Sequence, residues 1–298
     1  METLNSCPVC KNGKYELFLS CVDHTVSRET FAIVRCTSCG FKFTNPRPTE
    51  NEIGKYYESE EYISHSGTSR GVVNKIYGLV RNYTIKKKVQ LINDELRTKN
   101  HELRTILDIG CGTGEFLNAC KQDGWNVTGI EPSEMARKHA KESFGIDALL
   151  PEKLFEMNEK KFSVITLWHV LEHVHRLDET IDQIKKALLD KGVLIIAVPN
   201  CNSYDAKKYG AKWAAWDVPR HIYHFTKQDV EKLFGRFDFK LVKTLPMKFD
   251  SYYVSLLSEK YLSGNSNLAK GFISGYISNL SAGNNNGYSS QIYILSNN

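Results

Sequence analysis

The sequence contains no apolar stretch approaching the roughly 20 residues that a bilayer-spanning helix requires, and its first residues lack the apolar core of a secretory signal. Neither a membrane span nor export is expected, and the cytoplasm is the expected location. Concentrated charge is also missing. The net charge of +5 is spread over 298 residues, and the only tight basic run is Lys86-Lys87-Lys88. A run of that size reads as the solvated face of a helix, which argues against a nucleic-acid partner. No internal repeat is present. Phosphate-binding signatures are absent as well. After Gly110-Cys111-Gly112, a dinucleotide fingerprint would place its third glycine where Glu115 stands, and no Gly-Lys-Ser/Thr follows to make a Walker loop.

Cysteine, by contrast, is plentiful, with eight in the chain. Without a secretory signal, metal binding is a better reading of them than disulfides. Cys7-Pro8-Val9-Cys10 and Cys36-Thr37-Ser38-Cys39 form two C-x2-C knuckles 25 residues apart. Each can aim two thiolates at one ion, and together they complete a closed tetrahedral zinc site, which holds structure and does not activate water. Between them, Tyr15–Leu19 and Phe31–Arg35 alternate apolar and polar residues as short ribbon strands do. Such a module is too small to bury its own core, so its folding should lean on the metal. Cys21 lies outside both knuckles and reads as a small buried residue. Asn45-Pro46-Arg47-Pro48 then breaks the chain. Thr49 with Glu52 makes a capping-box pattern before Tyr56, Tyr57 and Tyr62, a cluster read as packing in preference to a lid over a ligand.

Val72, Ile76, Leu79, Tyr83, Val89, Ile92 and Leu96 recur at helical spacing, which predicts one long helix or a broken pair over about 70–99, bridging the zinc module and the main domain. From Arg104 the pattern alternates. Strands are expected at Thr105–Ile109, Asn126–Ile130, Ala148–Leu150, Phe162–Trp168 and Val193–Val198. Helices are expected at Glu115–Gln122, Ser133–Ser143, Glu152–Phe155 and Leu177–Leu189. This is the pattern of βαβ units and a parallel sheet covered on both faces. Thr226 with Asp229 caps a further helix whose buried stripe is Val230, Leu233 and Phe234. Phe239–Leu245 and Gln291–Leu295 read as sixth and seventh strands, with a tyrosine- and serine-rich helical insertion from Tyr252 to Leu280 and the loop 281–287 between them.

Gly110 and Gly112 bracket the turn after the first of these strands, where a ligand can approach the backbone. Glu131 closes the second strand, where a carboxylate can accept hydrogen bonds from both ribose hydroxyls. The two features point to a nucleotide-type cofactor held by its ribose and not by phosphate.

Leu107-Asp108-Ile109-Gly110-Cys111-Gly112-Thr113-Gly114, Gly129-Ile130-Glu131-Pro132-Ser133, Val170-Leu171-Glu172-His173-Val174 and Lys191–Asn200 together resemble the motifs of class I S-adenosylmethionine-dependent methyltransferases. The resemblance covers residues from about 100 to 245 and the last strand. Cys-Pro-x-Cys, Cys-x-x-Cys-Gly, Asn45-Pro46-Arg47-Pro48 and Tyr56-Tyr57 extend it to a bacterial subgroup with an N-terminal zinc-binding module and links to sugar and surface-polysaccharide methylation. Two departures, Ser163 for a usual aspartate and a single Gly192 where two glycines are common, fall outside the cofactor positions.

The resemblance implies an α/β, Rossmann-like seven-stranded methyltransferase sheet with its last strand antiparallel. Its domains would be 1–68, zinc ribbon and tyrosine-rich linker; 69–250, methyltransferase core with its leading helix; 251–287, helical insertion on the acceptor side; and 288–298, last core strand. S-adenosylmethionine would be bound by Asp108, Gly110, Cys111, Gly112, Gly114, Glu131, Pro132, Ser133, Trp168 and His169, with structural zinc on Cys7, Cys10, Cys36 and Cys39.

The acceptor side falls to the segment from Trp213 to Thr226, dense in aromatic and ionisable groups. His221 and His224 are candidate bases because histidine titrates near neutral pH, one of the two being expected to serve. Tyr223 and Arg220 could orient an anionic acceptor. His169, Glu172 and His173, with His221 or His224, could also hold a divalent ion, although the Leu-Glu-His triplet is common in metal-free methyltransferases. The leading expectation is C- or O-methylation of a small molecule, a sugar nucleotide or related polyol. The alternatives are an RNA methyltransferase that grips RNA through its zinc module, and a catalytically silent cofactor-binding scaffold. Oligomeric state is left open.

Overall fold

The computed structural model describes residues 1–57, 72–98, 103–157, 159–265, 267–283 and 287–297; Tyr62 and the middle of the 281–287 loop lie outside them. The chain begins with strands β1 (Tyr15–Val22), β2 (Thr30–Cys36) and β3 (Lys42–Thr44), then helix α1 (Val72–Thr98). An alternating stretch follows: β4 (Thr105–Ile109), α2 (Glu115–Gln122), β5 (Asn126–Ile130), α3 (Glu134–Phe144), β6 (Phe162–Trp168), α4 (Leu177–Ala187) and β7 (Leu188–Pro199). After it come α5 (Tyr204–Tyr209), β8 (Tyr223–His224), α6 (Lys227–Gly235), β9 (Phe239–Pro246), α7 (Asp250–Ser263), α8 (Leu268–Ser281) and β10 (Ser290–Asn297). No helix among the described residues is long and apolar enough to cross a membrane.

Strands covered on both sides need apolar side chains in both directions, and Phe162–Leu167 and Val193–Val198 are buried along their whole length. They form the centre of a six-stranded sheet of order β5-β4-β6-β7-β10-β9. The first four strands are parallel, and β10 runs antiparallel to both of its neighbours. This is an α/β methyltransferase-type sheet with six strands where seven were expected. The missing one is Ala148–Leu150, which makes only an isolated bridge between Leu149 and Ile130. Its two hydrogen bonds, Leu149 N to Gly129 O at 2.8 Å and Glu131 N to Leu149 O at 2.9 Å, end where Pro151 opens a 3-10 turn over Pro151–Glu156. Proline cannot donate to a ladder, so the segment stops short of a strand.

The N-terminal ribbon is joined to the large sheet's surroundings and does not stand alone. Its sheet runs β1-β2-β3-β8, with Lys42 opposite His224 and Phe43 opposite Tyr223. Val9, Val34, Phe41 and Phe43 share one core with Leu194, Ile196, Leu233 and Leu295. The ribbon was expected to depend on metal for want of a core, but it borrows part of one. In α1 the expected stripe is only half realised. Ile92 and Leu96 are buried, whereas Leu79 and Tyr83 are 71% and 51% exposed.

The expected helical insertion is the α7–α8 hairpin. Its helices approach closely through small residues: a β-carbon on Gly271 would meet Leu256, and one on Gly275 would meet the Tyr252 backbone. The fully buried Asp205 carboxylate ties this hairpin down. It accepts from Trp213 Nε1 and Ser278 Oγ at 2.8 Å each and from Ser289 Oγ at 2.6 Å, so it joins α5, α8 and the start of β10. Asp205→Ala would leave three buried donors unpaired. It should cost about 3–5 kcal/mol of unfolding free energy, measured by denaturant titration; a loss below about 1 kcal/mol would show that the carboxylate is dispensable.

Candidate cofactor and acceptor site

The glycine turn closes β4 at the carboxyl edge of the parallel strands, where open α/β sheets bind ligands. Gly110 has φ +74, and a β-carbon there would lie 2.4 Å from Val170 Cγ2, so the position needs glycine on two counts. Gly110 and Cys111 donate their amides to Ile130 O at 2.7 and 3.0 Å, which pulls the turn across the end of β5. The Cys111 thiol packs beneath Gly129, so this residue presents its backbone and not its sulfur. Gly114 is the left-handed N-cap of α2, and Ser133 caps α3 by accepting from Ala136 N at 3.3 Å.

Glu131 lies beside the turn. Its Oε2 accepts from Gly112 N at 2.8 Å and its Oε1 from Ser133 N at 2.9 Å, and Arg137 holds the carbonyls of Glu131 and Pro132, each at 2.7 Å. Each carboxylate oxygen keeps a further lone pair, so the pair could still accept a diol. Asp108, one strand over, is buried and hydrogen bonded by Thr166 Oγ1. Burial raises its pKa to about 7 against the opposing pull of Thr166 and Lys88.

Lys88 is a residue whose place sequence reasoning missed. The Lys86-Lys87-Lys88 run reads as a solvated face, yet the Lys88 ammonium lies 4.1 Å from the centre of the Trp168 ring, facing Asp108 and Asp250. A signal existed, since Lys88 is four residues before the buried Ile92 and shares its helix face. Trp168 meets Phe116 edge-on at 5.7 Å, and its buried Nε1 has no hydrogen-bond partner among the described residues. Lys88 and Trp168 thus bring an ammonium and an unused N–H donor to the strand ends beside Asp108.

His169 follows Trp168 with φ +57. Its Nε2 lies 2.9 Å from Asp250 Oδ2 and its Nδ1 3.2 Å from Glu172 Oε1. Burial opposes the charge, but the two carboxylates raise its pKa to about 10, so it is an imidazolium at neutral pH. Asp250, the first residue of α7, is the second group that the sequence did not mark.

Glu172, His173 and His221 bring one ligand atom each to within 4.8 Å of one another. His221 Nδ1 lies 2.9 Å from Ala215 O, and His173 Nδ1 lies 3.0 Å from Arg220 O and 2.9 Å from the Tyr57 hydroxyl. A carbonyl can only accept, so both Nδ1 atoms carry a proton and each ring turns its Nε2 away from that bond, His221 Nε2 lying 3.8 Å from Asp217 Oδ2. Burial and the neighbouring His221 bring the His173 pKa down to about 4, which keeps it neutral. Glu172 is fully buried, and its Oε2 has no hydrogen-bond partner among the described residues. Burial pushes its carboxyl up, but the hydrogen bond and charge of His169 together with the two neighbouring histidines hold it below the usual carboxylate range. Three electron-pair donors converge here, an arrangement that can receive a hydroxyl proton or hold a divalent cation. His169 faces Asp250 and so is not part of that set.

The other acceptor-side candidates are placed elsewhere. His224 is buried with its Nε2 3.1 Å from Thr44 Oγ1 and its ring against Trp216, and burial holds its pKa well below the usual range. The Tyr223 hydroxyl accepts from Arg47 at 2.9 Å in the seam with the ribbon. Arg220 does not orient an acceptor: 2% exposed, it is consumed by Asp217, Asp23 and the Tyr56 carbonyl.

At the far end of the ribbon, Cys7 and Cys39 place their sulfurs 3.6 Å apart and Cys10 and Cys36 theirs 3.5 Å apart, with all four within 4.8 Å. Four thiolates at about 2.3 Å from one zinc would lie about 3.8 Å apart, so the cage has the right size.

Residues 81–244 match the family model described as "Methyltransferase domain", which is more than half of the chain. The chain belongs to this methyltransferase family. It is an S-adenosylmethionine-dependent methyltransferase. It is 30% identical over 200 residues to a ubiquinone biosynthesis O-methyltransferase of Actinobacillus pleuropneumoniae serotype 7 (strain AP76), covering 60% of this chain and 84% of that one. A protein of the same name from Rickettsia bellii (strain OSU 85-389) is 28% identical over 189 residues, covering 60% and 75%. Among solved structures, magnesium protoporphyrin IX methyltransferase from Synechocystis PCC 6803 with bound SAH shares the fold. Its TM-score is 0.52 at 16% identity, over 82% of this chain and 97% of that one.

Buried beside the glycine turn, Asp108 is a carboxylate whose ionisation the fold disfavours. Its folded pKa of about 7 exceeds the ordinary 3.8, so the folded state loses stability as pH rises from about 4 to about 7 and stays lower above that. Asp108→Asn, free of cofactor, should therefore unfold at a higher temperature than the unsubstituted protein at pH 8, with the two converging toward pH 4. Parallel melting curves across that range would contradict the assignment.

Proposed function

We propose that this methyltransferase moves the methyl group of S-adenosylmethionine to a hydroxyl oxygen of a small-molecule acceptor, with His221 as the base. The reading is supported above all by the Glu172–His173–His221 convergence, where a backbone carbonyl takes the His221 Nδ1–H and leaves Nε2 for the acceptor. Bound against the glycine turn, S-adenosylmethionine supplies an electrophilic methyl carbon on a sulfonium. Glu131 would hold the ribose diol, and Gly110, Cys111 and Gly112 would let the backbone approach. Asp108 would face the positive charge of the donor, and Lys88 with the Trp168 N–H would face its carboxylate. The acceptor hydroxyl would give its proton to His221 Nε2 as its oxygen takes the methyl group. Ionised Glu172 would stabilise the resulting imidazolium, and the charged His169 behind it keeps Glu172 ionised. The alignment of oxygen, methyl carbon and sulfur supplies the rest of the rate, as in any in-line displacement.

The naming of the curated relatives as O-methyltransferases favours a hydroxyl acceptor over a carbon acid. A sugar nucleotide or related polyol enters only as one class that carries hydroxyls, since none of the named relatives points to it. The RNA-methyltransferase and silent-scaffold readings have no residue-level observation behind them. A divalent cation on Glu172, His173 and His221 is the second reading, favoured by the carbonyl-bound Nδ1 atoms that orient both rings as metal ligands are oriented.

The test is to incubate the protein with S-adenosylmethionine and pooled hydroxylated small molecules or cell extract and to read methylated products by mass. His221→Ala should lower kcat roughly 10²- to 10⁴-fold without changing cofactor affinity. Glu131→Ala should instead weaken cofactor binding by about 1–3 kcal/mol. Full activity in His221→Ala would refute the base assignment. Activity abolished by a chelator and restored by a divalent ion would favour the cation.

We further propose that Cys7, Cys10, Cys36 and Cys39 hold one structural zinc. The expected result is one equivalent per chain by elemental analysis, and a lower melting temperature after its removal under mild denaturation. A metal-free protein that melts at the same temperature with or without added zinc would dismiss the site.

A further inference from the structure

Helix α8 is built inside out. Its small residues Gly271, Ser274, Gly275 and Ser278 are buried against the rest of the protein, while Leu268, Phe272, Ile273, Tyr276 and Leu280 are each more than half exposed. A surface helix in water normally shows the reverse. The surface continues along α7 and α1. Phe249, 42% exposed, meets Tyr83 edge-on at 5.9 Å, and Leu79 stands out beyond it. So many exposed large apolar side chains on neighbouring helices exceed the scattered ones of an ordinary soluble surface.

The inner packing says what kind of surroundings such a helix suits. Gly271-Phe272-Ile273-Ser274-Gly275 is a G-x-x-x-G sequence, and its glycines take the close backbone approach of α7 at Leu256 and Tyr252. Small residues between helices with large apolar ones outside is how helices pack in lipid, where burial of apolar surface between helices gains nothing. At 14 residues α8 is about 21 Å long, short of the roughly 30 Å hydrocarbon core, so it could lie in one interface but not cross. Charge agrees. The two carboxylates of the hairpin turn inward, Asp250 to His169 and Glu259 to the Tyr209 hydroxyl at 2.9 Å. Exposed Lys270 on α8 remains, and exposed Lys248 flanks it, its carbonyl accepting from Asn279 at 2.9 Å.

We propose that the α7–α8 hairpin, with the adjoining Leu79 and Tyr83 of α1, docks this enzyme on an anionic lipid surface. Phe272, Ile273, Tyr276 and Leu280 enter the boundary between headgroups and acyl chains, and Lys248 and Lys270 meet the headgroup phosphates. The docking is independent of which acceptor the enzyme methylates.

The full chain is spun with vesicles of phosphatidylcholine alone or mixed with phosphatidylglycerol, with sedimentation velocity run in parallel without lipid. The protein should pellet with the mixed vesicles and bind them more weakly as salt rises. Phe272→Ser combined with Ile273→Ser should weaken that partitioning roughly tenfold or more. Both residues are exposed, so cofactor affinity and melting temperature should hold, and Lys270→Glu, which leaves the apolar surface intact, should weaken binding severalfold. Protein that stays in the supernatant with every vesicle would overturn the proposal. So would a dimer that the serine pair dissolves and vesicles do not compete with, since the face would then belong to a second copy of the chain.

Discussion

The site depends on how one short segment is held from both sides. Ile222 donates its amide to Glu172 O at 2.8 Å and accepts from Thr44 N at 3.1 Å, so the backbone between Arg220 and His224 is clamped between the turn after β6 and strand β3 of the ribbon. The Thr44 hydroxyl adds a bond to His221 O at 2.9 Å. His221 reaches His173, with ring centres 4.6 Å apart, because both ends of its segment are fixed this way. The ribbon thus reaches the candidate site: its four cysteines lie at the far end, while Thr44 of its third strand holds the backbone that carries His221. The zinc cage proposed for the four cysteines would suit that task, because it would stiffen a small sheet without offering a reactive position.

Charge is arranged around the strand ends as an alternating series. Lys88 faces Asp108 and Asp250, Asp250 and Glu172 flank His169, and Glu172 faces His173 and His221. Each carboxylate in this series except Asp108 is held ionised by a cation in contact with it. Asp108 has Thr166 as its hydrogen-bond donor and Lys88 only as a nearby charge, so burial dominates and its pKa rises. That exception falls beside the glycine turn, where the proposed function would bring the positive charge of the methyl donor.

Much of this could be read from residue order, for reasons that differ by element. Val193–Val198 of β7 is apolar on every residue and Phe162–Trp168 is broken only by Ser163 and Thr166, and two-sided burial leaves little else that such runs can be. The glycine turn and Glu131 depend on local backbone geometry and on register along neighbouring strands, both of which sequence encodes. The acceptor side was harder. His221, Tyr223 and His224 are equally histidine- or tyrosine-like on paper, and only the pairing of β8 with β3 decides which face each takes. That pairing joins residues about 180 positions apart, and no local pattern announces it. Asp250 meets His169 from more than 80 positions away, again with no local pattern to announce it. The third strand failed for a local reason, since Pro151 cut it short and three apolar residues outweighed the proline in the reading. Lys88 was misread because a basic run draws attention to charge, while its helical phase with Ile92 carried the information.

The same distinction between phase and composition explains the α7–α8 hairpin. Its composition, rich in serine, glycine and tyrosine, looks like that of an ordinary surface insertion. Its phase is inverted, and the inversion follows from what the hairpin must bury. Asp205 needs donors from α8 and from the start of β10, which turns Ser278 inward. Glu259 on α7 needs Tyr209, which turns that helix the same way. With α8 drawn close against Tyr252 and Leu256 of α7, only glycine and serine fit on its inner face, and its large side chains turn outward. A fold free to choose in water would rotate α8 and bury Phe272, at a gain of about 1.5–3 kcal/mol for that side chain alone. Polar ties that resist this rotation are retained at a cost in water, and the cost vanishes where the outward face meets an apolar phase.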